Sequence, residues 1–117
     1  MLELNTVREV LVAKLSGEID LKVAGELRRA LERALDNSSV RHLVFDFTGV
    51  SFIDSTGLGV ILGRYKRVAS IGGKLGVLGM SPSVRRVLEL SGVLRVAQEF
   101  DSLSEAVNAF GGGEAGA

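Results

Sequence analysis

Cysteine is absent from the 117-residue sequence, which excludes a disulfide framework, thiol catalysis and zinc–thiolate sites. A single histidine, His42, excludes a multi-histidine metal site. Charge of one sign is not in excess: Lys plus Arg and Asp plus Glu are 14 each. A nucleic-acid binder working through a general basic surface is therefore not expected. Uncharged runs stop at about ten residues, half of the roughly 20 that a membrane helix needs. Glu3 and Arg8 interrupt the apolar pairs of the N-terminus, which does not read as a signal peptide. A cytosolic protein acting through its own surface or a protein partner is the expectation. Hydrophobic residues at 46% and charged residues at 24% are an ordinary globular mix in one domain's length.

Neither repeat nor linker interrupts residues 1–110, read as one domain. Residues 111–117 hold four of the fifteen glycines and no bulky apolar group. They bury too little to offset their ordering entropy and read as a disordered C-terminal tail.

Residues 10–15 are β-branched and apolar, bounded by Gly17, and predict a strand; residues 2–6 predict a short edge strand beside it. Between 23 and 36, Ala24, Leu27, Leu31, Ala34 and Leu35 fall at helical spacing. Residues 41–47, with Leu43-Val44-Phe45, predict a strand buried on both faces. Leu58, Ile61, Leu62, Tyr65 and Val68 predict a helix over 55–69, stopped by Gly72 and Gly73. A strand follows at 75–78. Ser81 caps a helix running to Leu90, with Pro82 in its first turn, where a missing N–H costs nothing. Gly92 ends it. Residues 93–96 predict a last short strand. Leu103, Ala106, Val107 and Phe110 mark a closing helix capped by Asp101 or Ser102.

The expected fold is thus α/β: a single layered domain with a mixed, mostly parallel sheet of four to five strands and about four helices. Binding sites in such sheets lie at the carboxyl ends of the strands. Two loops qualify, 17–20 and 48–55.

Asp54, Ser55 and Thr56 fall at a helix start. On the residues alone two readings stay open. They are N-caps, for which these residue types are preferred. Or a hydroxyl presented there is a modification site, its phosphate facing free backbone N–H donors and the positive end of the helix dipole. The glycines at 57, 59 and 63 do not make a nucleotide site. A phosphate loop needs a lysine after its last glycine, and here Arg64-Tyr65 follows; the spacing is G-x-G-x-x-x-G, not G-x-G-x-x-G. They fit close helix packing or a flat face for a partner. Ser55 lies in no G-x-S-x-G elbow, and His42, at the start of its strand, reads as a surface or strand-end residue rather than a base. Glu18, Asp20 and Asp54 are expected to gather at one sheet edge, as solvated caps or as an acidic patch for a basic partner. Arg64, Lys66, Arg67, Arg85 and Arg86 read as exposed helix faces.

The run Phe52-Ile-Asp-Ser-Thr-Gly-Leu-Gly-Val-Ile-Leu-Gly-Arg-Tyr-Lys66 resembles the signature of bacterial anti-sigma factor antagonists. The likeness extends over nearly all of residues 1–110 and includes Leu15-Ser-Gly-Glu-Ile-Asp20 and Ser81-Pro-Ser-Val-Arg85. The Asp-Ser-Thr-Gly-Leu-Gly core marks the STAS domain, and the extension after it resembles the sporulation branch, which acts on the anti-sigma F factor. The resemblance implies a regulatory binding protein, not an enzyme, with no cofactor or metal. It implies that Ser55 is phosphorylated by the anti-sigma factor, itself a nucleotide-binding serine kinase. It implies that the unphosphorylated form binds that kinase and releases the sigma factor, and that a phosphoserine phosphatase restores this form. Asp20 matches an acid that meets a basic group on the kinase; the implied partner surface comprises Asp20, Asp54, Ser55, Thr56, Gly57, Leu58 and Gly59. Thr56 stands where sporulation relatives often carry a second serine. The alternatives are a general stress-response antagonist using the same switch, and a small nucleotide-binding α/β domain.

Overall fold

Residues 1–111 are described by the computed structural model. Strand β1 (Leu2–Val7) pairs antiparallel with β2 (Val10–Ile19); β2, β3 (His42–Ile53), β4 (Leu75–Leu78) and β5 (Ala97–Phe100) are parallel neighbours in the order β1-β2-β3-β4-β5. Helices α1 (Leu21–Leu35) and α2 (Ser55–Ala69), then α3 (Pro82–Ser91) with the single turn α4 (Val93–Val96), make the crossovers, and α5 (Leu103–Gly111) closes the chain. The expected α/β layering with a mixed sheet is what the chain forms.

Each crossover steps one strand onward in the same direction. Right-handed crossovers therefore place all the connecting helices on one face. Ala24, Leu27 and Leu31 of α1, Val60, Ile61 and Val68 of α2, and Val84 and Leu88 of α3 pack there on Leu11, Leu15, Leu43, Phe45, Phe47 and Val77. On the opposite face α5 lays Ala106 and Val107 over Val10, Val12, Val44 and Phe100. The strand order never reverses, so the sheet has no switch-point crevice of the kind that holds dinucleotides.

Four expectations are corrected. First, Gly17 does not end its strand. It adopts φ +81° within β2, where the pairing with β3 shifts register on either side of it. Both shifts add a residue on β3, and Gly17, on the facing strand, takes the left-handed backbone that glycine adopts without steric cost. Both strands therefore run on through residues read as loops, to Ile19 and Ile53. Beyond Asp46, β3 pairs with β2 and no longer with β4, so the two strands project as a ribbon. Second, residues 93–96 form a helical turn and the strand follows it at Ala97–Phe100. Gly92 ends α3 in the left-handed conformation, and Val93 is fully buried. A short apolar β-branched run does not by itself distinguish strand from helix turn. Third, Arg64, Arg67 and Arg85 are not free helix faces. Arg64 Nε stands 2.8 Å from Glu32 Oε2, an ion pair not aligned as a hydrogen bond, while Arg67 bonds Glu32 and Asp36. Together they tie α2 to α1. Arg85 reaches Glu99 at 2.7 Å. Fourth, His42 begins β3 as expected but is buried rather than on the surface. Its Nδ1 accepts the Lys74 N–H at 3.0 Å and its ring lies 5.3 Å from that of Phe110. Burial, with Arg41 and Lys74 nearby, holds its pKa below the ordinary histidine value.

Ser102, not Asp101, caps α5: its Oγ accepts the Glu105 N–H while Glu105 accepts the Asp101 N–H. The helix takes in Gly111, the first residue of the expected tail; residues 112–117 lie outside the described residues.

Candidate functional site

The ribbon of β2 and β3 ends with Ile19 paired to Ile53, and the next residue of each strand caps a helix. Asp20 Oδ1 accepts the Lys22 N–H at 3.1 Å and caps α1. Asp54 Oδ1 accepts the N–H groups of Thr56 at 2.9 Å and Gly57 at 3.0 Å and caps α2. Its other oxygen, Oδ2, accepts the Leu21 N–H at 3.2 Å, the first amide of α1. One carboxylate thus bridges the starts of both helices. The Asp54 N–H is donated to the Ile19 carbonyl at 3.2 Å and locks the corner from the backbone side.

Within this corner the expected site residues divide. Ser55 is exposed, the first residue of α2, with its side chain at the surface. Thr56 is half-buried and its hydroxyl donates to Asp54 Oδ1. Gly57 is buried: a Cβ there would lie 2.6 Å from the Ile19 carbonyl oxygen and 2.9 Å from Ile53 Cγ1. Its part is in packing and not in surface contact. Leu58 is half-buried against the main core, and Gly59 is exposed with open space where a Cβ would go. Asp20, Glu18 and Asp54 do gather at this edge, the first two on the same ribbon strand end. Asp20 and Asp54 serve as caps, and Glu18 is exposed.

One expectation changes here. The N–H groups of Thr56 and Gly57 are not free to meet a phosphate on Ser55, because Asp54 already accepts them. As expected, His42 is no base for Ser55, since it stands at the opposite end of β3. Sequence reasoning passed over two neighbours. Leu21 is 73% exposed and Phe52 is 49% exposed, and both border Asp54 in the chain or by hydrogen bonding. Helical spacing puts Leu21 on the face of exposed Arg28 and off the Ala24–Leu27–Leu31 stripe, which is the signal that was there to use.

The Thr56 hydroxyl, then the Gly57 N–H, with the Thr56 and Leu21 amides, hold the Asp54 carboxyl below its ordinary pKa. A lowered carboxylate pKa stabilises the fold above the unfolded-state value and ceases to do so as pH falls through the folded-state value. Wild type should therefore lose part of its thermal stability below about pH 4. Asp54→Asn, still a good cap, should flatten that part of the profile, whereas Asp54→Ala should lower Tm at neutral pH by roughly 5 °C. Melts from pH 7 to 3 check this; an unchanged acid limb in Asp54→Asn would show that the bridge is not charge-dependent.

A mixed sheet of this order, with one exposed hydroxyl beside a bridging aspartate at the start of the second helix, defines a class, and comparison with known proteins identifies it. The STAS domain family matches residues 1–106. The anti-sigma F factor antagonist of Paenibacillus polymyxa is 36% identical over 101 residues, 86% of either chain. Among solved structures, SpoIIAA in its unphosphorylated form superposes with a TM-score of 0.75 at 27% identity, covering 93% of this chain and 96% of that one. The Bacillus cell-fate determinant SpoIIAA in its phosphorylated form gives 0.75 at 28% identity, covering 93% and 98%. The chain belongs to the STAS domain family, among the anti-sigma factor antagonists.

Proposed function

We propose that this protein is a partner-switching anti-sigma factor antagonist. Unphosphorylated, it binds an anti-sigma factor serine kinase with its nucleotide and frees the sigma factor; phosphorylated on Ser55, it lets go. A phosphoserine phosphatase returns it to the binding form. The chain does this by binding, without chemistry or cofactor of its own. The observation that carries the reading is the pair of hydroxyls at the start of α2: Ser55 is exposed, and Thr56 is half-buried with its hydroxyl donated to Asp54. Only the first can enter a kinase site without breaking the cap. The Bacillus protein of the same fold is described in a phosphorylated form.

The test is incubation with the anti-sigma factor encoded in the same genome and ATP. One phosphate is expected, at Ser55, located by tandem mass spectrometry. Phosphate on Thr56, or none with a kinase active on another antagonist, overturns the reading. A nucleotide titration of the protein alone tests the competing class: specific, tight binding would favour a nucleotide-binding domain.

Asp20 supplies a second check. Asp20→Ala removes the charge and also uncaps α1, at about 0.5–2 kcal/mol of stability. Asp20→Asn keeps the cap and removes only the charge. Tm should hold within about 2 °C while affinity for the kinase falls tenfold or more, as when one member of a desolvated charge pair is truncated. Unaltered affinity, measured by calorimetry, would reduce Asp20 to a helix cap.

A further inference from the structure

The acids at this corner create a difficulty for a phosphate switch. Glu18, Asp20 and Asp54 would draw a basic partner surface. If charge attraction held the complex, a phosphate on Ser55 would add about −1.5 to −2 of the same sign and strengthen it. For the phosphate to break the complex, the contact around Ser55 must be close and dry, so that the group loses its hydration and gains no cation in exchange. Such a contact requires apolar side chains standing free beside Ser55.

Two do. Leu21 opens α1 with 73% of its surface exposed, and its N–H is bonded to Asp54 Oδ2, which places it against the residue before Ser55. Phe52 is 49% exposed on the projecting end of β3, where it pairs with Glu18 of β2. The two come from different elements at the same end of the ribbon: Leu21 is tied to Asp54 through its N–H, and Phe52 lies two residues before Asp54, lining a shallow recess with Ser83 and Val87 of α3. Isolated exposed hydrophobic residues are ordinary on protein surfaces. A leucine and a phenylalanine exposed at the ribbon end that leads into Ser55, with Glu18, Asp20 and Asp54 at the same end, offer an apolar surface with an acidic rim. Interfaces are built this way: a desolvated apolar centre dominates the energy and rim charges steer.

We infer that Leu21 and Phe52 are the apolar anchors by which the unphosphorylated protein holds its anti-sigma factor, seated in an apolar recess of that partner with basic groups around it. The inference rests on the function proposed above. It assigns Glu18 and Asp54 to steering and Asp20 to its charge pair, and it assigns to the anchors the dry contact that makes a phosphate on Ser55 repulsive. It also gives a route to partner choice, because the apolar anchors set which recess fits.

The test titrates wild type and the variants Leu21→Ser, Phe52→Ser, Phe52→Leu and Leu90→Ser against the ADP-loaded anti-sigma factor from the same genome. Leu21→Ser and Phe52→Ser should each weaken binding about tenfold or more, with the Phe52→Leu loss smaller. Leu90 is also 73% exposed but lies at the far end of α3, so Leu90→Ser should bind within about twofold of wild type. Melting curves accompany each variant; should Phe52→Ser melt early, Leu21→Ser and Phe52→Leu decide. Binding by Leu21→Ser and Phe52→Leu indistinguishable from wild type, or an equal loss in Leu90→Ser, overturns the anchors and leaves the switch standing if Ser55→Asp still fails to bind. Failure of wild type itself to bind takes down the functional reading and the anchors together.

Discussion

Ser55→Asp is expected to reduce affinity for the nucleotide-loaded anti-sigma factor by about a hundredfold or more while leaving the fold unaltered. The two halves of that expectation have separate causes. On the protein's own side the added charge meets little. Asp54 already accepts the Thr56 and Gly57 amides, so the new group gains no cap bond, and the positive end of α2 favours it by only about 0.3–1 kcal/mol. Repulsion from Asp54 opposes that gain, and at an exposed residue salt screens it. The sum is near zero. On the partner's side the charge must be stripped of water against a surface shaped for a serine hydroxyl. An uncompensated charge buried in this way costs about 3–5 kcal/mol. Ser55→Ala should bind as wild type does and resist the kinase. Calorimetry reads the affinities, and amide chemical shifts read the fold. Shifts that move across β2–β5 on phosphorylation, or a fall in Tm beyond about 5 °C, would make the switch conformational and this account wrong.

Residues with local causes were legible in the sequence. Helix α2 runs over the residues its apolar spacing predicts, β4 likewise, and Ser81 caps α3 as its position before Pro82 requires. What the sequence hid depends on distant partners. Gly17 reads as a strand end, yet β2 runs on through it, because β3 bulges opposite and carries the pairing to Ile19 and Ile53. Val93 reads as the start of a strand, and its burial in a helical turn follows from where α3 stops. Asp54 was legible as a cap of its own helix; its bond to Leu21, 33 residues away, was not. Leu21 and Phe52 were missed for a different reason. Leu21 was signalled by its place off the α1 stripe, whereas the exposure of Phe52 follows only from the ribbon projecting beyond β4.

Gly57→Ala should be among the most damaging single-atom additions to this protein, and Gly59→Ala, two residues on in the same helix, should be stabilising. A Cβ at Gly57 would lie 2.6 Å from the Ile19 carbonyl oxygen, 2.9 Å from Ile53 Cγ1 and 3.0 Å from Ile19 Cγ2. The nearest of these is backbone, and that carbonyl also receives the Asp54 N–H at 3.2 Å, so it cannot swing aside without loosening the corner. The alternative is for α2 to lift, which draws Thr56 and Gly57 away from Asp54 and Asp54 away from Leu21. Overpacking of this kind costs about 1–3 kcal/mol, only partly offset by the roughly 0.5–1 kcal/mol that alanine gains over glycine in a helix. A fall in Tm of roughly 5–10 °C is expected. At Gly59 nothing lies within 4 Å of the added carbon, so the helix gain stands alone and Tm should rise by about 2–5 °C. Affinity for the anti-sigma factor should fall in Gly57→Ala even well below its Tm, because the lifted helix carries Ser55 with it. Equal melting temperatures for the two variants would show that the helix start tolerates a methyl group, and that the close approach of α2 to Ile19 does not hold Ser55 in place.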